Sequence, residues 1–412
     1  MRTRVAERWG ALLRLSHVLK SPPDGVPRGY RRLIARHQWV AAGGFDPAAH
    51  IVPASQELED LLADNVCRSL PLDLPPWRLH VVRHGPESGG FTLALLAHHS
   101  LLDGSSLMTL FRLLMDDAPA IRLPVSGRRQ PAVRKREQNR KVRDELRAQL
   151  VDGQAIPLPP TGEAHPSVAL TDLRPQAVRA ARRLPAEGRG ATLTELLLSS
   201  VAGALRDCYG PLSRRPKGSA PVHASVPVDL RIPETAQELG NLALAVRLPL
   251  PVDLDAPAAR LVACQELAAT IPSRSRAQQA CIPVLQAAAR LGPWTLKALA
   301  AHGYSPAYAA SACTALKWRH VPCSLAGRPL LRIAALPPLH RPGTANFVLF
   351  QTADAFTLSV VSHTRPGDAR LLADAVAREL DTLADLAGQP FPPLASPFPA
   401  GRTNGTCSVP SH

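Results

Sequence analysis

Two adjacent imidazoles, followed four residues later by a carboxylate and then a glycine, occur at His98-His99-Ser100-Leu101-Leu102-Asp103-Gly104. This group can handle protons. Neutral imidazole takes a proton from a hydroxyl near pH 7, because its unperturbed pKa is about 6.5. His99 is the expected base, with His98 beside it. Asp103 has two conceivable tasks: it orients the imidazole directly, or it turns away and anchors the loop through an arginine. The anchor is the preferred reading. Gly104 is expected to supply the backbone freedom for the turn that follows. An isolated His-x-x-x-Asp carries little information, so the surrounding elements have to support it.

They do. Phe91–Ala97 reads Phe-Thr-Leu-Ala-Leu-Leu-Ala, a continuous apolar run of strand length, as in a strand buried on both faces. After the motif, Leu107, Leu110, Phe111 and Leu114 recur at helical spacing. The histidines therefore sit where a rigid strand ends, a common place for chemistry.

Pro and Gly punctuate the rest. In residues 1–20 a helical stripe of Val5, Trp9, Leu12, Leu13 and Leu19 predicts a first core helix, with an interfacial membrane helix as the alternative. Pro22-Pro23-Asp24-Gly25 ends it. Leu58, Leu61, Leu62 and Val66 mark another helix, and a charged stretch leads to Pro157-Leu158-Pro159-Pro160, read as an interdomain crossover. Residues 1–160 and 161–387 are the expected domains. The second opens with a polar segment suited to a sheet edge, and Thr192-Leu193-Thr194-Glu195 is a capping box continued by Leu196, Leu197, Val201 and Leu205. Strands are predicted over residues 222–228, 241–248, 330–336, 346–351 and 357–363. Asp368 is the expected cap of a last helix striped with Leu371, Leu372, Val376, Leu380 and Leu383. Residues 388–412 are Pro-rich and unpatterned, which reads as a disordered tail.

His-His-x-x-x-Asp-Gly is the signature of the CoA-dependent acyltransferase superfamily, and residues 98–104 resemble it throughout. Other segments resemble one branch, the bacterial wax ester synthase/diacylglycerol acyltransferases. Pro75-Pro76-Trp77-Arg78-Leu79-His80-Val81-Val82 resembles that family's P-L-W-x-x-H-V-I strand. Tyr30-Arg31-Arg32-Leu33-Ile34, Trp39-Val40, Phe45-Asp46 and His50-Ile51 follow its order, while Val226-Pro227-Val228-Asp229-Leu230-Arg231 and Leu239-Gly240-Asn241 resemble its V-P-V-x-x-R and L-G-N elements. The resemblance runs from about residue 28 to 387. Two segments depart from it. The part before Tyr30 is shorter than in the family, so the opening strand is expected to be missing, and Ser311-Ala312-Cys313-Thr314-Ala315-Leu316 stands in place of S-N-V-P-G-P, without its proline and glycine.

The resemblance implies a mixed α/β (α+β) fold of two chloramphenicol-acetyltransferase-like domains, with the active site in a tunnel between them. It implies an O-acyltransferase that moves an acyl group from acyl-CoA to a long-chain alcohol or diacylglycerol, giving wax ester or triacylglycerol. His99, His98 and Asp103 would be the catalytic motif. Arg231 either clamps Asp103 beside Gly104 or is an ordinary charge at a strand end; Asn241 either lines the substrate site or caps a strand. Acyl-CoA is a substrate, and neither cofactor nor metal is implied. The alternatives are a condensation-type enzyme fed by a carrier-protein thioester and a basic binding protein that keeps the fold without catalysis.

Composition fits a large globular chain: 412 residues, 45% hydrophobic and 20% charged, enough for two cores. Cys67, Cys208, Cys264, Cys281, Cys313, Cys323 and Cys407 lack Cys-x-x-Cys spacing, and His80, His363 and the other histidines lack ligand spacing, so free thiols and structural imidazoles are expected. No apolar run reaches the ~20 residues of a membrane span, and no signal-peptide block is present. A cytoplasmic location, with peripheral membrane contact left open, is the expectation; Asn404-Gly405-Thr406 is a chance sequon. Much of the net charge of +15 is arginine spread through the chain; the one concentrated run is Arg128-Arg129, Arg134-Lys135-Arg136, Arg140-Lys141, Arg143 and Arg147. No aromatic residue is interleaved to stack bases and no nucleic-acid-binding signature occurs, which disfavours nucleic acid. The run is read as a solvated linker and helix face, with attraction to a membrane surface or to CoA phosphates second.

Overall fold

The computed structural model describes residues 1–20, 38–84, 90–119, 135–184, 189–215, 219–290, 292–320 and 322–388. Pro22-Pro23-Asp24-Gly25, residues 30–34, Arg128, Arg129, Arg134 and the tail from 389 lie outside them. The described strands are β1 (His17–Lys20), β2 (Gln38–Ala41), β3 (Ile51–Ala54), β4 (Trp77–Arg83), β5 (Phe91–Ala97), β6 (His165–Leu173), β7 (His223–Asp229), β8 (Ala243–Pro249), β9 (Ser311–Trp318), β10 (Ser324–Leu325), β11 (Arg328–Pro329), β12 (Thr344–Thr352) and β13 (Ala355–Thr364).

A mixed six-stranded sheet runs β6-β13-β12-β9-β7-β8, with β9 parallel to both β12 and β7 and the remaining pairs antiparallel. The helices Leu193–Tyr209 and Asp368–Leu386 pack on it, burying Val201, Leu205, Leu372, Val376 and Leu380 against Phe347, Leu349, Leu358 and Val360. The first of these helices starts where the sequence places it. Thr192 Oγ1 accepts the Glu195 N–H at 3.2 Å and Glu195 Oε2 accepts the Thr192 N–H at 2.9 Å, which satisfies two orphan donors of the first turn. Asp368 does not cap the last helix. Gly367 occupies that position, and the Asp368 carboxylate is buried as an acceptor for Thr364 Oγ1 and the Tyr209 hydroxyl.

A three-stranded sheet, β3-β4-β5, carries the histidine loop at its margin. Its core joins residues from both ends of the chain: Val5, Trp9, Trp77, Leu79, Leu101, Leu102, Leu110 and Leu114 pack with Trp318, Leu325 and Phe350. Trp77 organises this cluster. Its indole N–H donates to the Leu15 carbonyl at 2.9 Å, Trp9 meets it edge-on at 5.6 Å, and His50 stacks on it at 4.2 Å.

Several expectations are corrected. β5 is half-buried along its whole length, because it is the outer strand of its sheet; an apolar run does not distinguish an edge from a centre. The first helix stops at Trp9, and the chain re-enters the core through a short 3-10 turn, so Leu15 is buried while Leu13 is 74% exposed. Residues 330–336 form no strand. The basic run is no free linker over its described part. The helix Lys135–Leu150 packs along the helix Ile271–Arg290, with Glu145 buried between them. Among the described helices none is long and apolar enough to cross a membrane.

Candidate active site

β5 delivers the histidines. β4 pairs with it through Trp77↔Ala97, and the His98 N–H donates to the Pro76 carbonyl at 2.9 Å, so the last ladder rung holds the loop's first residue. The His98 carbonyl then accepts the Leu101 N–H at 2.8 Å and the chain turns into the helix Gly104–Leu114. Leu101 and Leu102 plunge into the core, while His98, His99 and Ser100 are exposed. His98 Nδ1 lies 2.8 Å from Ser100 Oγ, and its ring meets Trp39 at 6.5 Å. Although the residue is exposed, partial desolvation of its ring lowers its pKa, and the neighbouring His99 lowers it further. His99 makes no hydrogen bond among the described residues, so both ring nitrogens are open to a reactant.

Asp103 points away from the histidines. It caps the motif helix, with Oδ1 accepting the Ser106 N–H at 2.8 Å. Arg231 closes on it bidentately, Nη1 to Oδ2 at 2.9 Å and Nη2 to Oδ1 at 3.0 Å, with both side chains only 4% exposed. The Leu242 N–H donates to Oδ2 at 2.7 Å, and the Asp103 N–H donates to the Gly240 carbonyl at 3.1 Å. Ser106 Oγ donates to that carbonyl at 2.8 Å and accepts the Gly240 N–H at 3.0 Å. Gly240 has φ +156°, a backbone conformation that suits glycine. Burial alone would weaken the Arg231 charge; the hydrogen bonds and charges of Asp103 and Asp229 outweigh it and hold the guanidinium above its ordinary range. Asp229 in turn accepts from Ser105 Oγ at 2.6 Å. The far end of the motif helix is pinned as well: the Asp116 carboxylate takes the Gly327 and Ala326 N–H groups at 2.9 Å each and Ser324 Oγ at 2.7 Å, and these donors, Gly327 first, bring its pKa down to about 2.

The remaining named residues fall around this frame. Gly104 is exposed, is the first helical residue and is not left-handed; a Cβ there would meet only Leu316 Cδ1, at 3.9 Å, so turning freedom is not what the position requires. Asn241 is exposed, and its neighbours Gly240 and Leu242 hold the motif through their backbone. The segment 311–316 that departs from the S-N-V-P-G-P pattern is the start of β9, and its end brings Leu316 toward Gly104. Sequence reasoning missed His340. It is half-buried on the segment entering β12, its carbonyl accepts from His363 Nδ1 at 2.8 Å, and its ring meets Tyr304 at 5.7 Å. Burial lowers its pKa, and His99 lies near enough to lower it further. Nothing in the spacing of positions 99 and 340 could have signalled this. Ser105 and Ser106 were equally silent. Among the described residues no group of three or more His, Cys, Asp or Glu side chains is placed to hold a metal ion.

Residues 28–202 match the family described as "Wax ester synthase/diacylglycerol acyltransferase catalytic domain". This part of the chain is similar to these acyltransferases. The chain is 30% identical over 264 residues to "Probable diacyglycerol O-acyltransferase tgs2" of Mycobacterium tuberculosis, a match covering 55% of this chain and 57% of that protein. The chain thus spans little more than half the length of the curated relatives it matches. In structure it resembles the wax ester synthase/diacylglycerol acyltransferase of Marinobacter aquaeolei, with a TM-score of 0.54 at 17% identity, covering 90% of this chain and 94% of that one. It also resembles the first condensation domain of the calcium-dependent antibiotic synthetase, with a TM-score of 0.58 at 17% identity, covering 94% of this chain and 87% of the other. At these identities the likeness concerns the fold: a mixed α/β architecture of the condensation-domain and wax ester synthase type.

Proposed function

We propose that this chain is an O-acyltransferase that moves a long-chain acyl group from acyl-CoA to the hydroxyl of an alcohol or diacylglycerol. The observation that carries the reading is the division of labour in the motif: Asp103 is spent on Arg231 and backbone amides, which leaves His99 exposed and without a hydrogen bond among the described residues. In this reading the two substrates meet where residues 1–160 face residues 161–387. His99 takes the acceptor hydroxyl proton as the oxygen attacks the thioester carbonyl, the C–S bond breaks, and the imidazolium returns the proton to the CoA thiolate. The balance needs no covalent enzyme intermediate. Holding both substrates converts a bimolecular step into an effectively intramolecular one. His98, bonded locally to Ser100, positions its neighbour, and Asn241 faces the acceptor.

The test is release of free CoA from palmitoyl-CoA by purified protein, with and without hexadecanol or dioleoylglycerol. Release that requires the acceptor, accompanied by the matching ester, supports the reading. Hydrolysis indifferent to acceptor, or no turnover, rejects it. Transfer only from an acyl group on a carrier protein's phosphopantetheine arm would point instead to a condensation-type donor.

A further inference from the structure

The histidine loop is held from a segment that precedes residues 28–202, the part that matches the acyltransferase family. In the 3-10 turn Leu13–Ser16, Leu15 is fully buried, and its carbonyl accepts the Trp77 indole N–H at 2.9 Å. Trp77 is the residue paired with Ala97, so this contact supports the strand just before the histidines. Arg14 supports the other side. Its Nε donates to the Leu101 carbonyl at 3.2 Å, two residues after His99, and no other donor reaches that carbonyl among the described residues. The same guanidinium lies against the turn at Gly240. Arg14 Nη2 is 3.6 Å from where a Cβ would stand on that glycine, and Arg231 Nη2 donates to the Gly240 carbonyl at 3.3 Å. β1 continues the segment, and its Leu19 pairs with Trp39, whose ring meets His98.

We propose that Arg14 is a positioning residue for acyl transfer, setting the place of His99 through the Leu101 carbonyl and the Gly240 turn. The proposal rests on the acyltransferase reading. His99 has no hydrogen bond of its own among the described residues, so its flanks place it. One flank is the His98 N–H on the Pro76 carbonyl, and the other is the Leu101 carbonyl on Arg14. A general base has to stand within about 3 Å of the proton it takes, and a misplacement of about 1 Å can cost on the order of 100-fold. Arg14 is half-buried and forms no ion pair among the described residues; burial lowers its pKa, and the charge of Glu238 offsets this only in part. A cation kept partly out of water without a carboxylate costs stability, so stability alone does not call for this placement.

The test compares wild type, Arg14→Met, Arg14→Lys and Leu13→Ser, the last a change at an exposed side chain of the same turn. CoA release from palmitoyl-CoA with hexadecanol is measured at a temperature where each protein is folded. Arg14→Met should lower kcat about 50-fold and leave KM for both substrates within about two-fold, because the base has moved and the substrates' contacts have not. Arg14→Lys keeps a donor for the carbonyl and should lose only about five-fold, and Leu13→Ser should match wild type. Amide exchange read by mass spectrometry should quicken about ten-fold in residues 98–103 of Arg14→Met and stay unchanged in residues 77–83. Should Arg14→Met not fold, Arg14→Lys decides the matter: a lower kcat with faster loop exchange supports the proposal, and wild-type values of both overturn it. The proposal is also overturned if Arg14→Met loses thermal stability but keeps the wild-type kcat, if KM rises in place of the fall in kcat, or if loop exchange is unchanged. A wild type that transfers no acyl group rejects the proposed function and the catalytic half of this proposal with it. The exchange measurement then still decides whether Arg14 holds the loop, so the two failures are told apart.

Discussion

Two buried ion networks tie the early part of the chain to the later part, and they are built from different material. At the histidine loop, Asp103 receives two donors from one guanidinium and two from backbone amides, those of Ser106 and Leu242. In the helical layer, Glu145 gathers Arg274 at 2.8 Å, Gln278 at 2.8 Å and Gln149 at 2.5 Å, all on long side chains. Beside it, Arg247 donates to the carbonyls of Ala148, Ala307 and Tyr308 and to His223 Nδ1. A carboxylate held partly by amides cannot shift without moving the chain. One held by glutamines and arginines shifts with them. The first network fixes the geometry of a loop, and the second fixes the docking of a helix.

The largest effect expected from this contrast is on chemistry. His99→Ala should reduce acyl transfer by about 100- to 10,000-fold, the usual cost of removing a general base, and leave thermal unfolding unchanged because the side chain is exposed and makes no hydrogen bond among the described residues. Steady-state rates and a melting curve on the same preparation check this. Retention of near wild-type turnover would end the role given to His99.

Asp103→Ala should lower stability by about 3 kcal/mol, since it strands a buried guanidinium and removes a helix cap together. Urea denaturation measures it. Adding Arg231→Met should recover part of that loss, because the stranded charge goes with it; a double variant as unstable as the sum of the two singles would show that the clamp is not one unit.

The two networks were unequally legible. His98, His99 and Asp103 stand within one short stretch whose neighbours have strand and helix periodicity, so the loop and its frame could be read locally. Arg231 lies 128 positions from Asp103, and only folding brings them together. The capping box at Thr192 and the apolar runs of β12 and β13 were readable for the same local reason. β9 was not: Ser-Ala-Cys-Thr-Ala-Leu-Lys-Trp has no clean alternation, and it is a strand because β12 and β7 flank it. Glu145 was hidden in a run whose arginines dominated the reading, and nothing local separates it from its exposed neighbour Asp144. His340 carries no local pattern at all.

The second network should betray itself in acid. Burial, then the charges of Arg247 and Arg274, depress the His223 pKa to about 4, whereas in the unfolded chain it returns to the ordinary value near 6.5. Between those values the unfolded state binds the extra proton. The stability linked to neutral His223 is therefore complete above about pH 6.5 and is lost as the pH falls toward 4, by on the order of 2 kcal/mol. His223→Gln, which keeps an acceptor for Arg247 but does not titrate, should flatten that limb in urea titrations at a series of pH values. An acid limb of undiminished steepness in this variant would assign the loss to other groups.

The smallest effect sharpens the contrast within two turns of one helix. Arg140 and Arg143 share Asp144 at 3.9 Å and 4.0 Å, with side chains 81% and 61% exposed, so solvent screens both contacts and mobility dilutes them. Glu145, one residue further on, is 5% exposed and pairs with Arg274 at 2.8 Å. Replacing Arg140 or Arg143 with Gln should change stability by no more than about 0.5 kcal/mol. Glu145→Ala should cost about 2 to 3 kcal/mol, because it leaves Arg274 and Gln278 without their shared acceptor in a partly buried position. Parallel urea titrations of the three single variants decide the matter. If Arg140→Gln proved as damaging as Glu145→Ala, the helix would be held by its charged outer face, and a dense basic run would have to be read as a structural element rather than as a solvated one.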